Sequence, residues 1–523
     1  MTDRPVLEVS DARRVWAGDG LVAEFNAADV VRPADVHAAT RLARLLGESD
    51  DRVILAAALA LRGTRFGHVC VDLETVRETM AIDGVDDELV AALPWPGAGW
   101  IETVAASPMT GTGEPDRPLV LEGSLLYTQR MWDYQARSAD RLLARAADPV
   151  HAPAGLDDTL DRVFPGEPTR QREAAALALS SRLTVIAGGP GTGKTYTIAR
   201  IIGAASELAA VAGQRPPLVA LAAPTGKAAN RLTQQLQDFA RSGLLSDPVA
   251  ASLAEMEAST IHRMLSSTFG RNRFTHHADN PLPHDLVIVD EMSMVPLSMA
   301  TRVLDATRPE ASLILVGDPN QLASIEAGTV LADLVGSDEN LRGSDASKGG
   351  QHEVLVDGEA DSEGSQIMFA FDHEIDPQAG SYLFPVGGTE VTRSGSSRGC
   401  RHKMPVDSGL TPLTNHVITL DRAHRFAAES PVADLADAIR RGDADAVMDH
   451  LRAGREGISW IDPGDTPVDQ IPEVVDPVLA HARRLIELAE AGEVEAAIAQ
   501  LGDLALMCAH RRGPVGVSDW VSL

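Results

Sequence analysis

Lysine and cysteine are both scarce in this chain of 523 residues. The four lysines are Lys194, Lys227, Lys348 and Lys403. The other 42 of the 46 basic residues are arginine, so a lysine that is retained is a candidate for a chemical role. The three cysteines are Cys70, Cys400 and Cys508. They are far apart and fit neither a disulfide framework nor a metal-site spacing, which favours a reducing compartment.

The chain also lacks an excess of basic charge and long apolar runs. Its 46 basic and 75 acidic residues give a formal charge of −29. That balance argues against coating nucleic acid by bulk attraction, so any phosphate binding must be local. No segment offers the roughly 20 uninterrupted apolar residues that cross a bilayer, and the N-terminus has no apolar signal-peptide core. We therefore expect a cytoplasmic protein without membrane attachment.

Length and patterning predict several domains, about three at roughly 150 residues each. Residues 1–150 are predicted to form a helical N-terminal domain, because apolar residues over 41–62 and 129–146 follow a 3.6-residue period. Residues 160–336 alternate short apolar runs with helical patterns, which predicts an α/β domain with a parallel sheet. The four runs are 183–188, 218–223, 286–290 and 312–318.

The last third of the chain is less regular. Residues 337–411 are rich in Gly and Ser, with eleven acids against two bases between Asp338 and Asp376. This composition predicts a solvated insertion or a flexible loop, and we assign it no chemistry. Residues 412–523 resume helical patterning and include a β-like run at 503–510, so we expect a partial second lobe of the core.

A glycine-rich loop lies between a predicted strand and a predicted helix. Residues 188–195 fit the pattern GxxxxGK[ST], in which backbone N–H groups and the helix N-terminus bind phosphates. Lys194 can reach the β and γ phosphates of ATP, and Thr195 can hold Mg²⁺. The alternative is a glycine-rich helix cap. The predicted nucleotide-binding residues of the loop are Gly188, Gly189, Pro190, Gly191, Thr192, Gly193, Lys194 and Thr195.

Two other strand ends carry candidate catalytic side chains. A P-loop ATPase needs a carboxylate on the metal side, and Asp290 and Glu291 follow the run at 286–289. Asp290 would bind Mg²⁺ and Glu291 would polarise the attacking water, although such a pair alone is usually a surface feature. Asp318 and Gln321 follow the next run, where the amide can sense the γ-phosphate. The alternative there is an ordinary turn.

Contacts to DNA phosphates are predicted near the starts of two further helices. Residues 225–227 follow an apolar run, where backbone amides can take a phosphate, and residues 259–265 offer a similar place. A lone histidine is otherwise more often structural. Residues 182–275 contain ten basic and five acidic residues, which is a local cationic patch. The predicted DNA contacts are Thr225, Gly226, Lys227, Thr260 and His262.

In this order the motifs resemble those of superfamily 1 helicases, and more narrowly the RecD family, the alpha chain of exodeoxyribonuclease V. The matching segments are 188–195 for motif I, 223–232 for Ia, 260–265 for Ib, 287–294 for II and 315–334 for III. Residues 420–426 are similar to motif IV, which implies that Arg425 reaches the γ-phosphate. Residues 169–179 are similar to the glutamine motif, which implies that Gln171 contacts adenine. The segments 65–73 and 119–132 resemble the family's N-terminal region, which docks on RecC.

The resemblance implies a P-loop (RecA-like) helicase core that moves 5′ to 3′ on single-stranded DNA and acts at duplex ends. It also implies RecB-like and RecC-like partner subunits in a heterotrimer that serves double-strand break repair and recombination. No counterpart of motifs V and VI is found before Leu523, and such motors need cationic groups from the second lobe. A rival expectation is therefore an ATP-binding regulatory or structural subunit without motor activity. A stand-alone RecD-like helicase is a third, and the N-terminal resemblance favours the complex-forming type over it.

Overall fold

The structure, a computed structural model, describes most of the chain outside the segment between the first α/β domain and the C-terminal helices. The described residues are 11, 13–15, 20–79, 90–166, 169–267, 274–321, 327–335, 413–420, 431–461, 471–508, 517 and 520. The predicted insertion at 337–411 and Arg425 lie outside them. The chain divides into two compact units, Met1–Arg425 and Phe426–Leu523.

The N-terminal region combines helices with a small sheet. Its described helices are Leu21–Ala27, Pro33–Leu46, Asp51–Arg65, Val76–Thr79, Trp100–Ala105 and Gln129–Ala147. Its strands are β1 (Cys70–Asp72), β2 (Thr110–Gly111), β3 (Leu119–Glu122) and β4 (Leu125–Thr128), in the order β1-β4-β3-β2. The helical prediction holds for most of the region, but the sheet was missed. Strands this short are below the length at which apolar alternation is visible in a sequence.

Local sequence explains where the longer N-terminal helices begin and end. Asp50 caps Asp51–Arg65 by accepting a hydrogen bond from the Arg52 N–H, and Pro33 occupies the first turn of Pro33–Leu46. The helix Pro33–Leu46 stops at Gly47, whose φ of 74° lies in the left-handed region. These helices surround a core in which Phe25 meets Trp95 edge to face, with ring centroids 4.6 Å apart.

The following region is built on a six-stranded parallel sheet. Its strands are β5 (Leu183–Gly188), β6 (Val219–Ala223), β7 (Ser259–Thr260), β8 (Leu286–Val289), β9 (Ser312–Gly317) and β10 (Val417–Leu420). Their order is β10-β5-β9-β8-β6-β7, and every pairing is parallel. The prediction of an α/β fold and of four apolar strands is confirmed. All six residues of β5 are buried, because helices cover both faces of the sheet.

Strand β10 lies in a different place from the one the sequence indicated. Residues from 412 onward were predicted to belong to a second lobe, whereas Val417 pairs with Val185 and Leu420 with Gly188 in the first sheet. The pairing satisfies the free edge of β5, which is a long-range requirement that a four-residue apolar run does not reveal. The described helices around this sheet are Leu156–Val163, Arg170–Leu179, Lys194–Val211, Gly226–Ala240, Asp247–Ala254, Ile261–Met264, Leu297–Ala306 and Val330–Val335.

The second compact unit is helical where the structure describes it. Its helices are Pro431–Arg440, Ala444–Arg452, Pro472–Glu490 and Val494–Gln500. The β-like run predicted at 503–510 forms no strand over its described part, residues 503–508. None of the described helices combines the length and the apolar character that a membrane crossing requires.

Candidate nucleotide-binding site

Three neighbouring strands of the six-stranded sheet bring the predicted catalytic groups to one edge. Strand β9 lies between β5 and β8, with Gly317 opposite Ala187 and Leu315 opposite Val289. Parallel strands end at the same edge, which is where open α/β sheets bind their ligands. The glycine-rich loop after β5, Asp318 after β9 and Asp290 after β8 therefore lie side by side.

The loop after β5 has the backbone that a phosphate cradle needs. Gly191 and Gly193 have φ values of 82° and 87°, in the left-handed region that glycine adopts without strain. A Cβ on Gly188 would lie 2.7 Å from the Thr192 Oγ1 and 2.9 Å from the Leu420 carbonyl oxygen, so no side chain fits there. The helix Lys194–Val211 starts at the end of this loop and points its N-terminus at the same space.

The ammonium group of Lys194 lies against the loop. Its Nζ donates hydrogen bonds to the carbonyl oxygens of Gly188, at 2.5 Å, and Gly189, at 3.0 Å. Burial lowers the pKa of Lys194, whereas the nearby charges of Asp318, Asp290 and Glu291 act to raise it. Among the described residues, only neutral carbonyl oxygens hydrogen-bond to this partly buried cation, so it is available to an incoming phosphate.

Gln171 contacts the loop from outside. It lies in the first turn of Arg170–Leu179, a helix capped by Thr169, and its Nε2 donates to the Thr192 carbonyl oxygen at 2.9 Å. The side chain is thus fixed beside the loop by a main-chain hydrogen bond. Its contact with adenine stays a prediction.

Asp290 is buried at the end of β8. The pKa of this carboxyl is raised to about 6, mainly by burial, and the charge of Glu291 acts in the same direction. The Glu291 N–H, which donates to the Asp290 Oδ1 at 2.9 Å, acts in the opposite direction, as does the charge of Lys194. Because its ionised form lacks an ion-pair partner at hydrogen-bonding distance among the described residues, Asp290 is suited to a cation that arrives with a ligand.

Glu291 has an unusual backbone. Its φ of 54° and ψ of 42° place a residue other than glycine in the left-handed region, which costs energy and clusters at functional sites. The Glu291 Oε2 is buried and has no hydrogen-bond partner among the described residues. A carboxylate oxygen in this state is an available acceptor for a bound water.

A close approach of backbones brings β9 to the same place. A Cβ on Gly317 would lie 3.0 Å from the Met292 nitrogen, so only glycine lets β9 reach the residues that follow Glu291. Next along the chain, the buried Asp318 accepts a hydrogen bond from the Asn320 N–H at 3.1 Å, and the Gln321 N–H donates to the Asp318 carbonyl oxygen. Residues 318–321, here called the sensor loop, thus form the turn that was the alternative interpretation, and Gln321 is exposed on it.

These residues fit a nucleotide that brings its own magnesium. Among the described residues, no group of three or more His, Cys, Asp or Glu side chains could hold a metal. Mg²⁺ usually takes one or two protein ligands and completes its shell with phosphate oxygens and water. Asp290 and the Thr195 hydroxyl, which makes no hydrogen bond within the described part of the chain, match that need. The unpartnered Oε2 of Glu291 supports the same fit.

The predicted DNA contacts follow the next two strands on this edge. The Oγ1 atoms of Thr225 and Thr260 cap the helices after β6 and β7 by accepting from the N–H groups of Ala228 and Arg263, each at 3.3 Å. Both threonines therefore have a structural role that is independent of any ligand. Three further members of the set are exposed, namely Gly226, Lys227 and His262. The His262 ring lies 5.9 Å from the Phe274 ring.

Sequence reasoning missed Arg231. It lies one helical turn beyond Lys227 on Gly226–Ala240 and is exposed, with no ion pair or hydrogen bond to another described residue. Its charge nevertheless acts on the nucleotide site, because it lowers the pKa of both Lys194 and Asp290. The spacing of four residues from Lys227 was the signal that could have identified it.

Comparisons with known proteins agree with this architecture. A family model described as the N-terminal domain of the RecBCD enzyme subunit RecD matches residues 27–127, and one described as an AAA domain matches residues 171–327. The RecBCD enzyme subunit RecD of Mycolicibacterium smegmatis is 39% identical over 498 residues, which cover 94% of this chain and 72% of the relative. That of Mycobacterium tuberculosis is 38% identical over 516 residues, which cover 98% of this chain and 73% of the relative.

A more distant relative is the ATP-dependent RecD2 DNA helicase of Deinococcus radiodurans, which is 30% identical over 297 residues. That match covers 55% of this chain and 36% of the relative. The mycobacterial matches extend over nearly the whole chain and more than two thirds of each relative. On the strength of these matches, this chain belongs to the RecD family.

Proposed function

We propose that this chain is the ATP-hydrolysing DNA helicase subunit of a RecBCD-type complex, moving 5′ to 3′ on single-stranded DNA at duplex ends. One observation carries the proposal. The Lys194 ammonium, the buried Asp290 and the unpartnered Oε2 of Glu291 lie where β5 and β8 end at one edge of a parallel sheet. Membership in the RecD family supports the same function.

The residues of the site divide the work of hydrolysis. Lys194 would exchange the carbonyl oxygens of Gly188 and Gly189 for phosphate oxygens, which places its charge where negative charge develops. Thr195 and Asp290 would hold Mg²⁺, which when bound supplies charge neutralisation on the phosphate oxygens. Glu291 would accept a hydrogen bond from the attacking water and orient it.

Two further side chains would connect hydrolysis to movement. Gln321 on the sensor loop and Arg425 would both contact the γ-phosphate. Loss of the phosphate would remove both contacts at once. Because the ends of β6 and β7 lie on the same edge as the nucleotide, a change in the sensor loop would alter the grip of Lys227 and His262 on DNA.

Partner subunits are proposed on the basis of the N-terminal region and the charge. Residues 27–127 match a model named for the RecD subunit of the RecBCD enzyme, which supports assembly with RecB-like and RecC-like chains. A formal charge of −29 suits basic faces on such partners and repels DNA away from the motor channel.

The proposal is tested with Lys194→Ala in the assembled complex. We expect DNA-stimulated ATP hydrolysis by this chain to fall by about 10³-fold or more, as when one phosphate-clamping cation is lost. Lys348→Ala, which changes a lysine outside every motif, is the control and should hydrolyse ATP at the wild-type rate. The partner motor must carry its own P-loop lysine substitution, so that the ATP hydrolysis measured comes from this chain alone.

Unwinding assays decide between the motor and the rival regulatory subunit. A duplex with a 5′ tail should be unwound, and one with a 3′ tail should not. In the complex whose partner motor carries its P-loop substitution, saturable ATP binding by this chain without turnover would favour the regulatory subunit instead.

A further inference from the structure

Two of the contacts between the N-terminal region and the α/β region bear on the nucleotide site. The first contact is a broad helix pair, Gln129–Ala147 against Leu297–Ala306. The Ser138 and Thr301 hydroxyl groups are hydrogen-bonded at 2.8 Å in a buried position. The Arg145 guanidinium, itself buried, donates to the carbonyl oxygens of Ala311 and Thr307 at 2.7 Å. This contact fixes the two regions together, since breaking it would leave buried polar groups without partners.

The second contact is small and involves the turn 67–69, just before β1. The Gly328 N–H donates to the Gly67 carbonyl oxygen at 3.1 Å. Val69 packs against the core cluster of the α/β region, whereas its neighbour Val71 packs against the N-terminal core. The turn 67–69 therefore contributes to the α/β core, although it belongs to the N-terminal region by sequence.

Gly328 packs between this turn and the helix Leu297–Ala306, with no room for a side chain. A Cβ built on it would lie 2.6 Å from the Leu297 Cβ and 3.3 Å from the Val69 Cγ2, and its φ of 94° is left-handed. The Leu297 N–H also donates to the carbonyl oxygen of Ala327 at 3.1 Å. The backbone at residues 327 and 328 is thus held between the helix that follows the catalytic acids and the N-terminal turn.

The same segment is in contact with the start of the sensor loop. Leu331 lies three residues beyond Gly328, and its Cδ2 would be 2.6 Å from a Cβ on Gly317. Gly317 directly precedes Asp318, whose carboxylate acts electrostatically on Lys194. Side-chain and backbone contacts therefore connect Val69, Gly328, Leu331 and Gly317 in series.

We propose that Gly67 and Val69 are positioning residues for the sensor loop, so that the nucleotide state of the site is transmitted to β1 of the N-terminal sheet. Coupling in the reverse direction follows, because linkage is reciprocal: a protein bound to the N-terminal sheet changes the response of the loop to nucleotide. This inference rests on the proposed function in one respect, namely that the loop responds to bound nucleotide. The helix pair at Arg145 is the fixed point against which the turn moves.

The first test compares Val69→Ala with Val71→Ala in the full chain, in the presence of DNA. Both remove the same two methyl groups from partly buried positions, but only Val69 contacts the α/β core. We expect Val69→Ala to lower kcat about three- to tenfold with little change in the KM for ATP. Val71→Ala should lower the melting temperature without changing kcat. Val69→Ile, which keeps a branched apolar side chain at this position, should have the wild-type kcat. Equal kcat values for Val69→Ala and wild type would overturn the inference.

The second test needs no substitution. Amide hydrogen exchange of the wild-type chain is measured with and without Mg²⁺ and a non-hydrolysable ATP analogue. Exchange of a peptide covering residues 66–73 should change on binding, while a peptide within Gln129–Ala147 should not. An unchanged 66–73 peptide in a chain that binds the analogue would contradict the inference while leaving the proposed function intact. Failure to bind the analogue at all would instead remove the proposed function, and the inference with it.

Discussion

The Gln171 side-chain amide and the Thr192 main-chain carbonyl are joined by a hydrogen bond of 2.9 Å, which ties a surface helix to the phosphate loop. The bond places Gln171 beside the loop without any nucleotide. It also means that a substitution at Gln171 changes two things at once, the position of the loop and the surface offered to a base.

Gln171→Ala should weaken binding of an ATP analogue about fivefold, which corresponds to roughly 1 kcal/mol, the worth of one hydrogen bond. Fluorescence titration with a labelled nucleotide measures this change. Gln234→Ala, at an exposed position on Gly226–Ala240, is the control and should bind as wild type does. Equal affinities for Gln171→Ala and wild type would show that the hydrogen bond to Thr192 has no part in binding.

Gly188→Ala and Gly189→Ala should have very different effects on the free energy of unfolding. The Cβ at residue 188 would clash with Thr192 and with the Leu420 backbone, whereas a Cβ at residue 189 meets nothing within 4 Å. We expect Gly188→Ala to lower the free energy of unfolding by about 2 kcal/mol, as overpacking does, and Gly189→Ala to leave it nearly unchanged. Denaturant unfolding of the nucleotide-free chain distinguishes them. Equal losses would mean that the end of β5 is not packed against β10 as described.

Asp290→Asn should change how stability depends on pH. The pKa of Asp290 is about 6 in the folded chain, above the roughly 3.9 of an unfolded aspartate. At pH values between these two pKa values the folded chain binds more protons than the unfolded chain. The free energy of unfolding therefore falls as the pH rises through this range. Asp290→Asn removes the titrating carboxyl group, so its free energy of unfolding does not show this fall. It should exceed wild type by up to about 3 kcal/mol near pH 8, and the gain should shrink toward pH 4.

The measurement is denaturant unfolding of the nucleotide-free chain across that pH range. Asp279→Asn, which alters an almost fully exposed carboxylate, serves as the control and should show no such trend. A gain for Asp290→Asn that is the same at both ends of the range would contradict the buried, uncompensated state of Asp290.

Arg231→Ala should slow ATP hydrolysis more than it weakens nucleotide binding. Its charge acts on Lys194 and Asp290 from an exposed position, so its removal changes the potential at the site without removing a packed side chain. We expect a loss of about three- to tenfold in kcat, with Arg231→Lys retaining most of the activity. Arg241→Ala, on an exposed residue that follows the same helix, is the control. A kcat unchanged in Arg231→Ala would show that the charge is screened by solvent.

The central strands and the phosphate loop could be predicted because their signals are local. Strand β5 is a continuous apolar run followed by glycines and a lysine, and Asp290 follows another such run. Parallel topology then places both at one edge without further information. Outcomes that depend on distant pairing were not predictable in the same way. The addition of β10 to the sheet and the contact between Gly67 and Gly328 join residues more than 200 positions apart.

The prediction of the site from the sequence was incomplete for a related reason. The sequence identified side chains by motif, but the left-handed backbone of Glu291 and the close approach at Gly317 follow from packing. Arg231 was missed because its one signal, the spacing of four residues from Lys227, is common on exposed helix faces. The roles assigned to Gln321 and to the DNA contacts at Lys227 and His262 stay predictions.

Titration calorimetry of the wild-type chain with Mg²⁺ and a non-hydrolysable ATP analogue tests the central claim most directly. We predict saturable binding to one site, lost in Lys194→Ala and retained in Lys348→Ala. Absence of binding in the wild-type chain, or equal binding in Lys194→Ala, would contradict the assignment of this sheet edge as the nucleotide site.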